Sequence, residues 1–381
     1  MFKKKDYYLF LFITILALVI RYIGRDYISD DMSSAFIPWF RTMKEGGGLS
    51  SLGRQVGDYG LLYQTIVALL TYFEANPVYL YKSVSVLFDF LIAISIAYFV
   101  RDYRSETIFK DKGKDEVFIL VYAYVLMLPT VVTNSAFWGQ CDSIYTFFLL
   151  WTVWFLFKEK YHSSFFMLGW ALAFKLQSVL LFPLFAYYYF SQKKYSLFNF
   201  IITACTFWIS GIVVYIHRLE FLDNVDIYSN QVVMFKRMWM NVPSFWVLVG
   251  DDYNKFHILA IGLTFFILGI AFLKAINGRL CMASFEQIVA LAVFIEWTCI
   301  LFLPAMHERY TYVMDLFLLM LACINKQYIK YAFIAILMSC LTYNAYLFSG
   351  KEIVNPSLVI VYLCTWLHYS YTTLKNNSKI L

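Results

Sequence analysis

The residues able to do chemistry in this chain lie in a few short polar patches between long apolar runs. Asp30 and Asp31 stand together in SDDMSS, and Asp58 and Tyr59 follow in GDYGLLY (57–63). Trp138, Gln140 and Asp142 share FWGQCDS, Lys175 and Gln177 share FKLQS, and His307 and Arg309 share MHERY. A last group comprises Gln231 in YSNQ (228–231), two cations in FKRMW (235–239) and Asn241 in NVPSFW (241–246). Carboxylates accept protons, cations hold negative charge and amides fix polar groups. Such a mixture suits a polar, anionic substrate handled at a lipid interface. The seven cysteines are scattered, with no CxxC pair and no Cys/His ligand spacing, so neither a zinc site nor a disulfide framework is expected.

The elements that must position these patches are membrane helices. Hydrophobic residues make up 61% of the 381 residues and charged ones 15%, against roughly 25% in soluble domains. Runs able to cross about 30 Å of hydrocarbon recur along the whole chain. No soluble domain, flexible linker, low-complexity tract or repeat is visible, so one domain over 1–381 is expected. The net charge of +6 reports orientation and contact with anionic headgroups, and gives no argument for nucleic acid. The basic N-terminus leads into an apolar run without a small-residue cleavage site, which reads as a first transmembrane helix.

The expected fold is an all-α, polytopic bundle of about twelve spans: 7–23, 78–100, 116–133, 142–157, 163–174, 178–190, 196–217, 256–276, 284–304, 309–325, 329–348 and 356–374. Both termini then share a side with the short connections carrying Lys3 to Lys5, Arg101 to Lys114, Lys158/Lys160, Lys193/Lys194, Lys274/Arg279, Lys326/Lys330 and Lys375. The positive-inside rule makes that side the cytoplasm. Two choices keep the count consistent. Leu61–Phe73 reaches only about 20 Å and is laid in the interface. The stretch 163–190 is split into a hairpin turning at Lys175-Leu176-Gln177, which suggests a cavity open to the outside.

Every polar patch then faces outward. In the first outer loop (24–77), Met32, Ala35, Phe36, Trp39, Phe40 and Met43 recur at helical spacing, with Arg41, Lys44 and Glu45 on another face. That pattern predicts an amphipathic helix on the membrane surface, with Pro38 kinking it or lying in its first turn. The second long outer loop is 218–255.

Four of these motifs together resemble the GT-C superfamily of integral membrane glycosyltransferases, including bacterial mannosyltransferase-like members: Asp30/Asp31 after the first span, GDYGLLY, WGQxD (138–142) and HER (307–309). KLQ before a proline-containing helix (175–183) is a weaker fifth, and the set covers about 280 residues in family-like order. Many relatives carry prolines where this chain has Gly60 and Leu61. The resemblance implies a polyprenyl-phosphate-sugar donor, inverting transfer of a hexose on the non-cytoplasmic face, and a catalytic acid in the first outer loop. The acceptor would be a lipid-linked glycan, a cell-surface polysaccharide or a glycolipid. A composition rich in Lys, Asn, Ile and Phe leans to a bacterial source, whose carrier would be undecaprenyl phosphate; a eukaryotic enzyme would use dolichyl phosphate in the endoplasmic reticulum.

For that reaction a carboxylate must take the acceptor's hydroxyl proton, and Asp31, then Asp30, is the expected base. Arg309, then His307 and Lys175, would stabilise the leaving phosphate without a metal or cofactor. Trp138 would stack on the sugar, with Gln140, Asp142, Asp58, Tyr59, Gln177, Gln231 and Asn241 binding sugar or acceptor. Each has a plainer reading: caps for Asp30, Asp31 and Asp142, headgroup anchors for Arg309, Lys175 and the FKRMW cations, an ordinary interfacial residue for His307. An alternative reading has Asp30, Asp31 and Asp142 converge on one ion. Asp89, Glu296 and Asp315 fall inside spans and read equally as hydrogen-bonded structural groups or cavity lining. Rival functions are a transporter or flippase, a polysaccharide ligase or polymerase using diphosphate-linked donors, and a non-catalytic scaffold.

Overall fold

The computed structural model describes residues 3–103, 107–218 and 220–378; Arg104, within the expected basic loop, lies outside them. Its α-helices are α1 (Lys4–Gly24), α2 (Ile37–Glu45), α3 (Leu61–Leu70), α4 (Pro77–Asp102), α5 (Lys114–Leu126) and α6 (Pro129–Val132). Then follow α7 (Asp142–Phe157), α8 (Tyr161–Phe174), α9 (Phe182–Gln192), α10 (Asn199–Ile209), α11 (Ile212–His217) and α12 (Asp223–Met234). The last are α13 (Tyr253–Ile276), α14 (Phe285–Phe302), α15 (Tyr312–Ile324), α16 (Ile329–Ser349) and α17 (Pro356–Asn376). Two-residue strands β1 (Trp239–Met240) and β2 (Met306–His307) pair in parallel, tying the second outer loop to the HER segment.

Local sequence explains the helix boundaries. Asn76 and Asn355 cap α4 and α17 just ahead of Pro77 and Pro356, where a missing N–H costs nothing. Ser284 and Gln287 close a reciprocal capping box on α14.

The fold is all-α and, among the described residues, five helices are long and apolar enough to cross a membrane: α1, α4, α13, α14 and Lys326–Ser349. The pair Lys114–Leu126 and Pro129–Trp138, bent by 57°, makes a possible sixth. That count falls short of the expected twelve, because most other apolar stretches form shorter or broken helices, and α17, long enough at 21 residues, is too polar. α7 has 16 residues, about 24 Å of helix. The expected 116–133 span bends at Leu128-Pro129, and 196–217 is broken at Ser210-Gly211.

The helix ends nonetheless sort into two groups. At one end Lys158 pairs with Asp102 at 2.6 Å, Lys274 donates to the Leu374 carbonyl at 3.2 Å, and Glu286 accepts from Asn325 and Gln327 at 3.0 and 3.2 Å. At the other end Trp138 stacks on Tyr346 at 5.5 Å and Lys175 pairs with Asp142. α8 and α9 form the expected hairpin around Lys175, since Phe165 meets Phe185 at 4.8 Å and Tyr161 meets Tyr188 at 6.2 Å near the far ends. α14 runs through the middle of the bundle, whereas most of α1 and α13 faces outward, so these two present apolar surface on the outside of the bundle.

Both helices expected to float on the membrane surface pack on protein instead. Met32, Phe36, Phe40 and Met43 are buried as the periodicity predicts, and Pro38 lies in the first turn of α2. Their partners, however, are Tyr81 of α4, stacked 5.2 Å from Phe36, and Tyr59, 5.5 Å from Trp39. α3 likewise buries Leu61, Tyr63, Gln64 and Val67. Gly60 permits this approach, because a Cβ there would lie 2.6 Å from the Ala173 carbonyl oxygen. Of the carboxylates inside spans, Asp89 binds Arg21 Nε at 2.9 Å and Ser135 at 2.5 Å, and Asp315 accepts from Ser339 at 3.0 Å. Both are hydrogen-bonded structural groups; Glu296 is buried on α14.

Candidate functional site

Asp31 is where the separate patches meet. Its Oδ2 accepts from Trp138 Nε1 at 2.9 Å, from Gln140 Nε2 at 2.5 Å and from Arg309 NH1 at 3.4 Å. The donors come from the turn before α7 and from the turn before α15, so Asp31 caps no helix of its own. Among the described residues, Oδ1 accepts from none of them, and about a third of the side chain is open to solvent. Asp30 is exposed, and its backbone carbonyl takes the hydroxyls of Ser33 and Ser34.

The WGQ turn works through glycine. Gly139 has φ +78°, and this left-handed step carries Trp138 and Gln140 to the same oxygen. A Cβ on Gly139 would stand 2.5 Å from the terminal methyl of Met32, which can swing aside. Gly139→Ala is therefore expected to cost about 1–2 kcal/mol, mainly from the backbone conformation, measured as a lowered unfolding midpoint. Tyr59 donates to Gln140 Oε1 at 2.9 Å, leaving the amide N–H₂ for Asp31. Burial holds the Tyr59 phenol well above its ordinary range, against the opposing pull of Arg309, so it remains a donor.

A second ion pair lies deeper. Lys175 Nζ binds Asp142 Oδ1, and Asn134 Nδ2 binds Oδ2 at 2.8 Å. Asp142 caps nothing, and Lys175, 6% exposed, is no headgroup anchor. Asp30, Asp31 and Asp142 do not converge, and among the described residues no three His, Cys, Asp or Glu form a metal-sized group.

Beside these pairs lies a cavity of about 290 Å³. Its polar wall carries Asp58, Tyr59, Lys175, Gln177, Gln231, Arg309 and Tyr310; Phe174, Val232, Met234, Ile261 and Leu303 form the apolar wall. Burial raises the Asp58 carboxyl above its usual range, partly offset by its backbone N–H and Arg309, and its Oδ1 has no partner among the described residues. Gln231 donates to the Asp58 carbonyl, drawing α12 over the cavity. Arg309 links the two features, since it lines the cavity and contacts Asp31.

No family model matches the chain, and no curated protein matches it.

Several expected contacts fall elsewhere. Trp138 has no free face for a sugar: Tyr346 is stacked on its ring and Arg309 sits over it, 5.9 Å from the centroid. Gln140 and Asp142 are buried and support Asp31 and Lys175 rather than line the cavity. Asn241 is used in backbone contacts, donating to Thr342 O at 3.0 Å and accepting from Ile353 N at 3.1 Å. His307 packs against Phe235 at 4.9 Å and Tyr310 at 5.1 Å, off the cavity wall. Burial, with Arg309, Lys175 and Arg237 nearby, holds its pKa well below the ordinary value, so it adds no positive charge at neutral pH. In FKRMW, Arg237 is bidentate to Glu352 at 2.7 and 3.1 Å and does not line the cavity.

Other contributors escape a reading of the motifs alone. Lys82, inside the apolar run of α4, donates to the carbonyls of Gly24, Arg25 and Tyr27 at 2.8, 3.3 and 2.5 Å, closing the end of α1 ahead of Asp31. Ser85, one turn on, holds the Gln140 carbonyl at 2.6 Å. A lysine within a span is the signal that would have found the first; nothing marks the serine.

Glu308, between the two site residues of HER, is buried and its carboxyl is pushed up to about 7 from 4.5. Burial is the main cause; its backbone N–H and Arg309 oppose it, and Asp31 and Glu352 add to it. The folded state therefore holds a proton that the unfolded state has lost between those values, so stability falls as pH rises from 4.5 through 7. The full effect is at most about 3 kcal/mol. Glu308→Gln is expected to match wild type in unfolding midpoint near pH 5 and to exceed it at pH 8.

Proposed function

We propose that this chain is an inverting glycosyltransferase that moves a hexose from a polyprenyl-phosphate-sugar to an acceptor hydroxyl. The acceptor oxygen attacks C1, the C1–O bond to phosphate breaks, polyprenyl phosphate leaves, and the hydroxyl proton passes to Asp31. One displacement inverts the anomeric centre. The observation that carries this reading is Asp31 itself, a half-open carboxylate fixed through one oxygen by three donors. The other oxygen is left for a proton.

Arg309 divides the site. In this reading the donor phosphate lies on its cavity side, with the prenyl tail along Phe174, Val232, Ile261 and Leu303, and the acceptor approaches the open side of Asp31. A guanidinium already in place stabilises the phosphate charge that grows as C1–O breaks. Lys175 and Arg309 already face Asp142 and Asp31, so the site has little surplus positive charge. That balance favours the single charge of a phosphodiester over the greater charge of a diphosphate, and so favours transfer over polysaccharide ligation from diphosphate carriers.

The segregation of helix ends supports a membrane-crossing bundle in which short or broken helices are shielded by the longer ones. The lysine-rich end would be cytoplasmic and the site external, in a bacterial cytoplasmic membrane with undecaprenyl phosphate as carrier, or lumenal in the endoplasmic reticulum with dolichyl phosphate. Purified protein incubated with a panel of polyprenyl-phosphate-hexoses and lipid-linked glycan acceptors should release polyprenyl phosphate and form a glycoside of inverted configuration. Lipid or solute flux without transfer, or transfer only from diphosphate donors, would overturn the proposal.

A further inference from the structure

A second pocket lies at the opposite end of α16. Its volume is about 660 Å³, and it is walled by Lys326, Gln327, Lys330, Tyr331, His368 and Thr372, with Ile329 and Phe333 at its margin. The Tyr331 hydroxyl ties the two sides together, 2.7 Å from His368 Nδ1 and 3.3 Å from Thr372 Oγ1. Gln327 Nε2 is held at 3.2 Å by Glu286, which stands outside the wall. No carboxylate lines this wall, and among the described residues neither Lys326 nor Lys330 has an acidic partner within 4.0 Å. Such a wall recognises an anion.

The surface beside it says what kind. Ile329, Phe333, Leu337 and Leu341 are exposed at four-residue spacing, forming an apolar stripe that starts at the pocket and climbs α16 for about 18 Å. On α17, Leu367 and Tyr371 are exposed as well. A cationic pocket opening onto a long apolar stripe matches an amphiphile with an anionic head and an extended acyl chain. Lys330 in the pocket is about 24 Å of helix from Tyr346, which stacks on Trp138, so the pocket is separate from the site around Asp31.

We propose that this pocket binds the headgroup of an anionic phospholipid, with the phosphodiester at Lys326 and Lys330 and one acyl chain along the Ile329–Leu341 stripe. The inference is independent of the reaction proposed above.

The test is native mass spectrometry of the full-length protein with an equimolar mixture of phosphatidylglycerol and phosphatidylcholine. Wild type should retain phosphatidylglycerol in preference, and Lys326→Gln/Lys330→Gln should lower that preference at least tenfold while leaving phosphatidylcholine retention unchanged. Lys4→Gln/Lys5→Gln, which removes two exposed charges elsewhere, should keep it. Unchanged preference in the pocket variant, or an equal loss in the control, would overturn the proposal. So would displacement of the lipid by millimolar inorganic phosphate, which would identify a free-phosphate site. Phe333→Asn should weaken retention of the lipid; if it instead dissociates a dimer and leaves lipid preference intact, the stripe belongs to a second copy and the proposal falls.

Discussion

Asp31→Asn should slow sugar transfer by roughly 10²–10⁴-fold, the usual contribution of a positioned general base, while donor binding changes by less than about threefold. Asparagine keeps the shape of the side chain, so Trp138 and Gln140 can still reach its oxygen. It has no negative charge and no basic lone pair for the acceptor proton. In the proposed reaction donor binding would rest on the cavity and on Arg309, which the substitution frees from its carboxylate partner. Single-turnover transfer and competition by polyprenyl phosphate separate the two quantities. Asp30→Asn should be near wild type, because that side chain is exposed away from the convergent donors. Normal transfer by Asp31→Asn would remove it as the base. A matching loss in Asp58→Asn alone would move the role to the cavity carboxyl, which has an unpartnered oxygen.

The largest loss of stability is expected from breaking the inner ion pair. Lys175→Met leaves Asp142, fully buried, with Asn134 as its remaining donor, and should cost about 3–5 kcal/mol. The cost arises from a carboxylate stranded away from water more than from the attraction lost. The double variant Lys175→Met/Asp142→Leu should therefore recover most of the loss, and denaturant unfolding in detergent measures both. Removing Lys44 from its exposed pair with Glu74 should leave the midpoint within error. Equal losses in the single and double variants would show that Lys175 acts through packing.

How legible the protein was depends on the range of the interaction. Apolar periodicity marked the helical stretches and the buried face of Met32, Phe36, Phe40 and Met43, because such patterns are local. It could not say that this face meets Tyr81 and Tyr59 rather than lipid, since both partners are apolar. Nor did hydropathy resolve the breaks at Pro129 and Gly211, which shorten the passes. The motifs pointed to Asp31, Arg309 and Lys175, whose charges are too costly at a membrane without a purpose. The assignment of Trp138 to a sugar went astray because residue type does not reveal which ring faces are covered. Lys82 is marked in the sequence only by its charge within an apolar run; its partners are backbone carbonyls, which no side-chain motif can display.

The contact between Asp31 and Arg309 also sets a timetable for biosynthesis. The two are 278 residues apart, so at about 5–20 residues per second the ribosome supplies the guanidinium roughly 15 to 55 s after the carboxylate. Trp138 and Gln140, 107 and 109 residues downstream, emerge well before it. The nascent chain can thus shelter its carboxylate with two neutral donors while the segment carrying Arg309 is still unmade. The positive charge arrives only with residue 309, so a chain terminated before it would hold the acid without its counter-ion.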